Sequence, residues 1–123
     1  VILIDTSVWV DHFRLGDRTL AQLLNSSEVL AHPFVIGELA LGNLRQRQLI
    51  RETLGDLPLV IVASDQEVLH FIDRNRLFES GLGYVDTHLL AATRLAAGTT
   101  LWTRDKRLHL VANRLGLAAS LPA

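Results

Sequence analysis

Four short runs of apolar, largely β-branched residues recur along the chain: Val1 to Ile4, Glu28 to Ala31, Leu59 to Val62 and Thr100 to Thr103. Continuous apolar runs bounded by turn residues predict strands buried on both faces. The long segments between them carry helix signals. Ser64 and Glu67 form a capping box opening a helix that reaches about Phe78, and Pro33 stands where a first-turn proline belongs. Gly98 closes a helix that runs from about Val85 through Ala91, Ala92, Ala96 and Ala97, and a last helix begins near Asp105 and ends by Gly116. Strands joined through helices need crossovers, and crossovers make a parallel sheet covered by helices. The expected fold is therefore α/β, an α/β/α sandwich around a central, mostly parallel sheet of about four to five strands. Ala118 to Ala123 would be a short edge strand or a frayed tail.

A chain of 123 residues, 49% hydrophobic, can bury a single core without disulfides or a structural metal, and residues 1–123 read as one domain. No linker, internal repeat or low-complexity stretch divides it. The absence of cysteine excludes a disulfide framework, a thiolate zinc site and a cysteine nucleophile. Uncharged stretches such as Val29 to Gly37 fall far short of the ~20 apolar residues of a membrane helix. No secretory signal pattern opens the chain, so no membrane partner and a cytoplasmic location are expected. A formal charge of -1 argues against the strongly basic surface of a non-specific nucleic-acid binder.

Ligands of a parallel sheet gather beyond the carboxyl ends of its strands. Asp5 follows the first strand and Asp105 the last, each in a strand-to-helix corner where an aspartate also serves as a helix cap. Glu38 interrupts the apolar segment Phe34 to Leu41, and helical spacing sets it beside Phe34, Val35, Leu41 and Gly42 on an apolar face. A lone buried carboxylate is costly, so Glu38 must be protonated, paired, at a wet cleft or bound to a cation. Asp86 opens the helix with Leu82, Leu89 and Leu90 as neighbours. One crevice at the sheet edge could collect all four. A hard divalent cation resolves the mutual repulsion of clustered carboxylates, and oxygen ligands suit Mg²⁺ or Mn²⁺ rather than zinc. That is phosphodiester-hydrolysing chemistry. Thr6, Ser7 and Thr103 stand beside the aspartates, either orienting them or capping helices.

At these residues the chain resembles the PIN domain, and within it the VapC-type ribonuclease toxins of toxin-antitoxin pairs. The resemblance rests on Ile4-Asp5-Thr6-Ser7-Val8-Trp9-Val10, Gly37-Glu38-Leu39, Gly83-Tyr84-Val85-Asp86-Thr87-His88-Leu89-Leu90-Ala91 and Trp102-Thr103-Arg104-Asp105-Lys106-Arg107-Leu108, in that order over nearly the whole chain. It implies an acidic cluster of Asp5, Glu38, Asp86 and Asp105 holding Mg²⁺ or Mn²⁺, at which a metal-activated water cleaves single-stranded or loop RNA to 5′-phosphate and 3′-hydroxyl ends. It also implies a homodimer, a VapB-type antitoxin as inhibitor, and heterotetramers or larger complexes with it. Many PIN domains carry a further acid two positions after the last aspartate. Here that position is Arg107, so the fourth corner supplies one carboxylate.

Arg104, Lys106 and Arg107 flank Asp105 and are the expected contacts to the RNA backbone. Arg45, Arg47 and Arg51 read as a solvated helix face. The five histidines, at 12, 32, 70, 88 and 109, show no paired ligand spacing and read as partly exposed structural residues. Trp9 and Phe13, four apart, read as core or dimer interface. Phosphatases of the haloacid-dehalogenase type need a second Asp where Ser7 stands, and response-regulator receivers need an acidic pair where Ile4 precedes Asp5. The remaining alternative is an inactive PIN scaffold that binds RNA or a protein. Setting the four carboxylates aside leaves nine acids against twelve bases, so the opening charge conceals a basic remainder around an acidic site.

Overall fold

A computed structural model describes residues 1–121. Its centre is a parallel sheet of β1 (Ile2–Ile4), β2 (Val29–Leu30) and β3 (Thr100–Trp102), in the order β2-β1-β3. Ile2 pairs with Val29 on one side and Thr100 on the other, and Ile4 pairs with Trp102. Three strands replace the expected four to five. Among the described residues, the Leu59 to Val62 run meets the sheet only through a single bridge from Leu59 to Ala31, and the segment after α7 only through a bridge from Ala118 to Leu101. Ile61 is 86% exposed, which explains the shortfall: β-branched residues extend the backbone here, but no second row of partners completes a ladder. The predicted tail at Ala118 to Ala123 falls partly outside the described residues, which end at Leu121.

Among the described residues seven helices surround the sheet: α1 (Thr6–Leu15), α2 (Arg18–Asn25), α3 (Pro33–Leu41), α4 (Arg47–Gly55), α5 (Asp65–Arg74), α6 (Tyr84–Leu95) and α7 (Lys106–Arg114). Ser64 and Glu67 close both bonds of the capping box that starts α5. That helix stops at Arg74, short of Phe78, because Arg76 takes a left-handed φ of 55° that no continuing helix allows. Pro33 occupies the first turn of α3, and Gly98 and Gly116 follow α6 and α7 with positive φ.

From β1 the chain moves outward to β2, then returns across the sheet to β3 on the other side of β1. Around the sheet α1 packs on α3 and α5 packs on α6. The core is built from β1 and β3 with Val8, Trp9, Leu20, Val35, Leu89, Leu90 and Leu108. Trp9 is fully buried and stacks on Phe13 at 5.7 Å. The reversal of direction between β1 and β3 makes a topological switch point, where the carboxyl ends of the strands diverge and leave a crevice.

Candidate active site

Asp5 leaves β1 into this crevice, and its backbone N–H extends the ladder by donating to Trp102 O at 2.9 Å. Its Oδ2 accepts from Thr103 Oγ1 at 2.7 Å and Ser7 Oγ at 2.8 Å, while Oδ1 accepts no hydrogen bond from the described residues. Cap and site roles thus coincide: one oxygen ties the carboxylate to its own helix and to the β3 corner, and the other stays available. Asp105 repeats the device. Its Oδ1 caps α7 by accepting from Leu108 N at 2.9 Å, and its own N–H donates to Thr103 Oγ1 at 3.0 Å. Thr103 therefore bridges the two strand-end aspartates.

Glu38 differs from expectation in its burial. It lies on the exposed side of α3, whose buried residues are Val35 and Leu39, so no desolvation penalty forces it to find a cation. An almost wholly apolar helix has no polar face to set its orientation from sequence. What brings Glu38 to the site is Thr6, whose Oγ1 donates to Oε1 at 2.6 Å. Asp86, half-buried in the first turn of α6, is the electrostatic focus. Burial raises its pKa above the ordinary value, and Asp5, Asp105 and Glu38 push it further in the same direction against a hydrogen bond from the Gly83 backbone. The four carboxylates thus share one field. Among the described residues no three acidic or histidine side chains stand close enough to form a closed metal cage. An all-oxygen donor set with this built-in repulsion nevertheless suits a hard divalent cation that keeps part of its water shell.

A cleft of about 410 Å³ opens beside Asp86 and Asp105, lined also by Gly81, Leu82, Lys106 and Arg107. Arg107 Nη1 donates to Gly81 O at 3.2 Å. Gly81 has φ +82°, and a Cβ there would stand 2.7 Å from Arg107 Nη1, so only glycine allows this approach. Lys106 and Arg107 thus line the cleft next to Asp105 and Asp86.

Arg104 does not line that cleft. Its Nη1 donates to Asp11 Oδ2 at 2.8 Å, its Nη2 pairs with Asp17, and its guanidinium lies 5.3 Å from the Trp102 ring centre. The bond to Asp17 raises the Arg104 pKa despite burial. Burial pushes Asp17 upward, but the Leu20 N–H and Arg104 outweigh it and leave the carboxyl below its ordinary value. Asp11 and Asp17 were not legible as partners, standing 93 and 87 residues from Arg104; only the cap signal of Asp17 before α2 is local.

Two histidines also depart from expectation. His32 and His88 are buried, not partly exposed, and their rings meet edge-on 6.4 Å apart. His32 Nδ1 caps α3 by accepting from Phe34 N at 3.0 Å. Burial, with His88 opposite, lowers the His32 pKa to about 4.

A parallel sheet with aspartates capping helices in the corners after β1 and β3 narrows the class of fold, and comparison with known proteins gives it a family. The PIN domain profile matches residues 2–114, and the chain belongs to the PIN-domain family. It is 45% identical over 118 residues to Ribonuclease VapC32 of Mycobacterium tuberculosis, in each of two strains, covering 96% of this chain and 95% of the relative. The crystal structure of PAE2754 from Pyrobaculum aerophilum superposes with a TM-score of 0.64 at 17% identity, covering 89% of this chain and 78% of the other, and supports the fold.

Proposed function

We propose that this protein is an endoribonuclease toxin of the VapC type that depends on a divalent metal and is held in check by a VapB-type antitoxin. The observation that supports the reading is the electrostatic coupling of Asp86 to Asp5, Asp105 and Glu38, each of which pushes its pKa upward, beside a cleft lined by Asp86 and Asp105. These four would hold Mg²⁺ or Mn²⁺. When bound, the ion supplies Lewis-acid stabilisation of the phosphodiester and lowers the pKa of a water.

The chain's own residues do the positioning. Thr6 orients Glu38, Ser7 and Thr103 orient Asp5, and Thr103 spaces Asp105 from it. Lys106 and Arg107 face the cleft beside Asp105 and Asp86 and would take RNA phosphates, with Arg107 as a planar fork anchored at Gly81. A homodimer, assembling with antitoxin into a heterotetramer or larger complex in the cytoplasm, belongs to the same proposal. No helix of the described residues is long and apolar enough to cross a membrane.

Asp5→Asn and Asp86→Asn should each reduce Mn²⁺- or Mg²⁺-supported cleavage of a single-stranded RNA by at least about 100-fold, with the fold intact by circular dichroism. Undiminished cleavage in both would place the chemistry elsewhere. Absent cleavage in the wild type, with RNA still bound, would favour the inactive scaffold. Expression of the chain should arrest growth unless the cognate antitoxin is co-expressed, and unimpaired growth with active protein would remove the toxin role.

A further inference from the structure

Arg104 sits between Thr103, which joins the two strand-end aspartates, and Asp105 itself. We propose that Arg104 is a positioning residue, a latch that ties the β3–α7 corner to α1 and to the start of α2 and so fixes Asp105 relative to Asp5. The corner is held at two levels. Its backbone is pinned by the Arg104 N–H donating to Ser7 Oγ at 3.0 Å, the same hydroxyl that donates to Asp5. Its side chain spans Asp11 on α1 and Asp17, the cap of α2. Asp17 is itself immobilised on both sides: Oδ1 accepts from Leu20 N at 2.9 Å and its N–H donates to His12 Nδ1 at 3.0 Å. A fork gripping two carboxylates, over an indole ring and with one partner already fixed, loses little freedom on forming. With Nη1 on Asp11 and Nη2 on Asp17, the guanidinium is absent from the cleft lining that Lys106 and Arg107 share.

The latch explains how a loop corner can present Asp105 reproducibly. Displacement by about 1 Å of a group that must act with others costs on the order of 100-fold in rate. A lysine at 104 would keep the charge but lose the fork.

The kinetic arm of the test rests on the metal-nuclease reading above; the exchange arm does not. In metal-free protein, Arg104→Lys and Asp11→Asn should speed amide hydrogen exchange at residues 104 and 105 by about 10-fold or more while core amides such as those of Leu89 and Leu90 are unchanged. In the active enzyme, Arg104→Ala and Arg104→Lys should both lower kcat by about 10-fold to 100-fold and weaken Mn²⁺ binding, leaving the RNA KM within about twofold. Adding Asp11→Asn to Arg104→Ala should cause little further loss. The latch is overturned if exchange at 104 and 105 is unchanged in folded Arg104→Lys and Asp11→Asn. It is equally overturned if Arg104→Ala raises KM at constant kcat and Arg104→Lys restores it, the signature of a phosphate contact. A wild type that neither binds Mn²⁺ nor cleaves RNA would fail the functional reading alone, with the exchange result still deciding the latch.

Discussion

His32 shows how one side chain can serve the fold in a single protonation state. Its Nδ1 must be unprotonated to accept the Phe34 N–H, while the ring is buried opposite His88, which in turn lies 3.8 Å from Asp65. Burial and the facing histidine lower its pKa from 6.5 to about 4. A base whose folded-state value is depressed contributes stability that is complete above about 6.5 and lost as pH falls toward about 4. The loss should reach roughly 3 kcal/mol. Urea unfolding between pH 7 and pH 4 should show it, and His32→Asn, which keeps a cap acceptor without a titrating ring, should flatten that slope. An equal slope in the variant would assign the acid sensitivity to other groups. Asp86 makes the converse case. Its carboxylate is held raised by burial and three like charges, so removing the charge relieves strain in the metal-free fold. Asp86→Asn should raise the apo Tm at neutral pH while abolishing cleavage; an unchanged or lower Tm would show that the repulsion is already screened by solvent.

At the scale of elements, caps were the most legible features. The signals at Asp5, Pro33, Ser64 and Asp105 all start helices where expected, because a cap depends on residues within one turn of itself. Ser64→Ala should cost about 1 kcal/mol in stability with no change in RNA cleavage, measured by thermal melting beside an activity assay. Features set by distant partners were not legible. The Leu59 to Val62 run has strand composition, yet its pairing depends on what lies beside it, and only Leu59 finds a partner. Phe34 to Leu41 offers no polar stripe by which to orient its helix, so the sequence does not reveal that Glu38 is exposed; α1 reaches it through Thr6, 32 residues earlier. Gly81 gave no signal of its own. Its positive φ and its contact with Arg107 predict that Gly81→Ala displaces the guanidinium at a cost of about 1–2 kcal/mol and raises the RNA KM.

For the whole molecule, the net charge of -1 divides between an acidic crevice and a basic remainder. On the proposed reading, the metal-free crevice would repel the phosphates that Lys106 and Arg107 would attract; one bound divalent ion would offset half of that acidity and two would offset all of it. RNA affinity should therefore be modest in EDTA and rise with Mn²⁺, and equal affinity in both would contradict this division of charge. The four carboxylates come from separate elements, α3, α6 and the corners after β1 and β3, so the proposed site would exist only once the sheet, α3 and α6 have assembled. The most direct test of that shared site is calorimetric titration of Mn²⁺ into the wild type and into Asp5→Asn, Glu38→Gln, Asp86→Asn and Asp105→Asn, each confirmed folded. The predicted result is that the wild type binds Mn²⁺ and every single variant binds it more weakly, with Asp5→Asn and Asp86→Asn losing most. Binding of wild-type strength in all four variants would contradict a common metal centre.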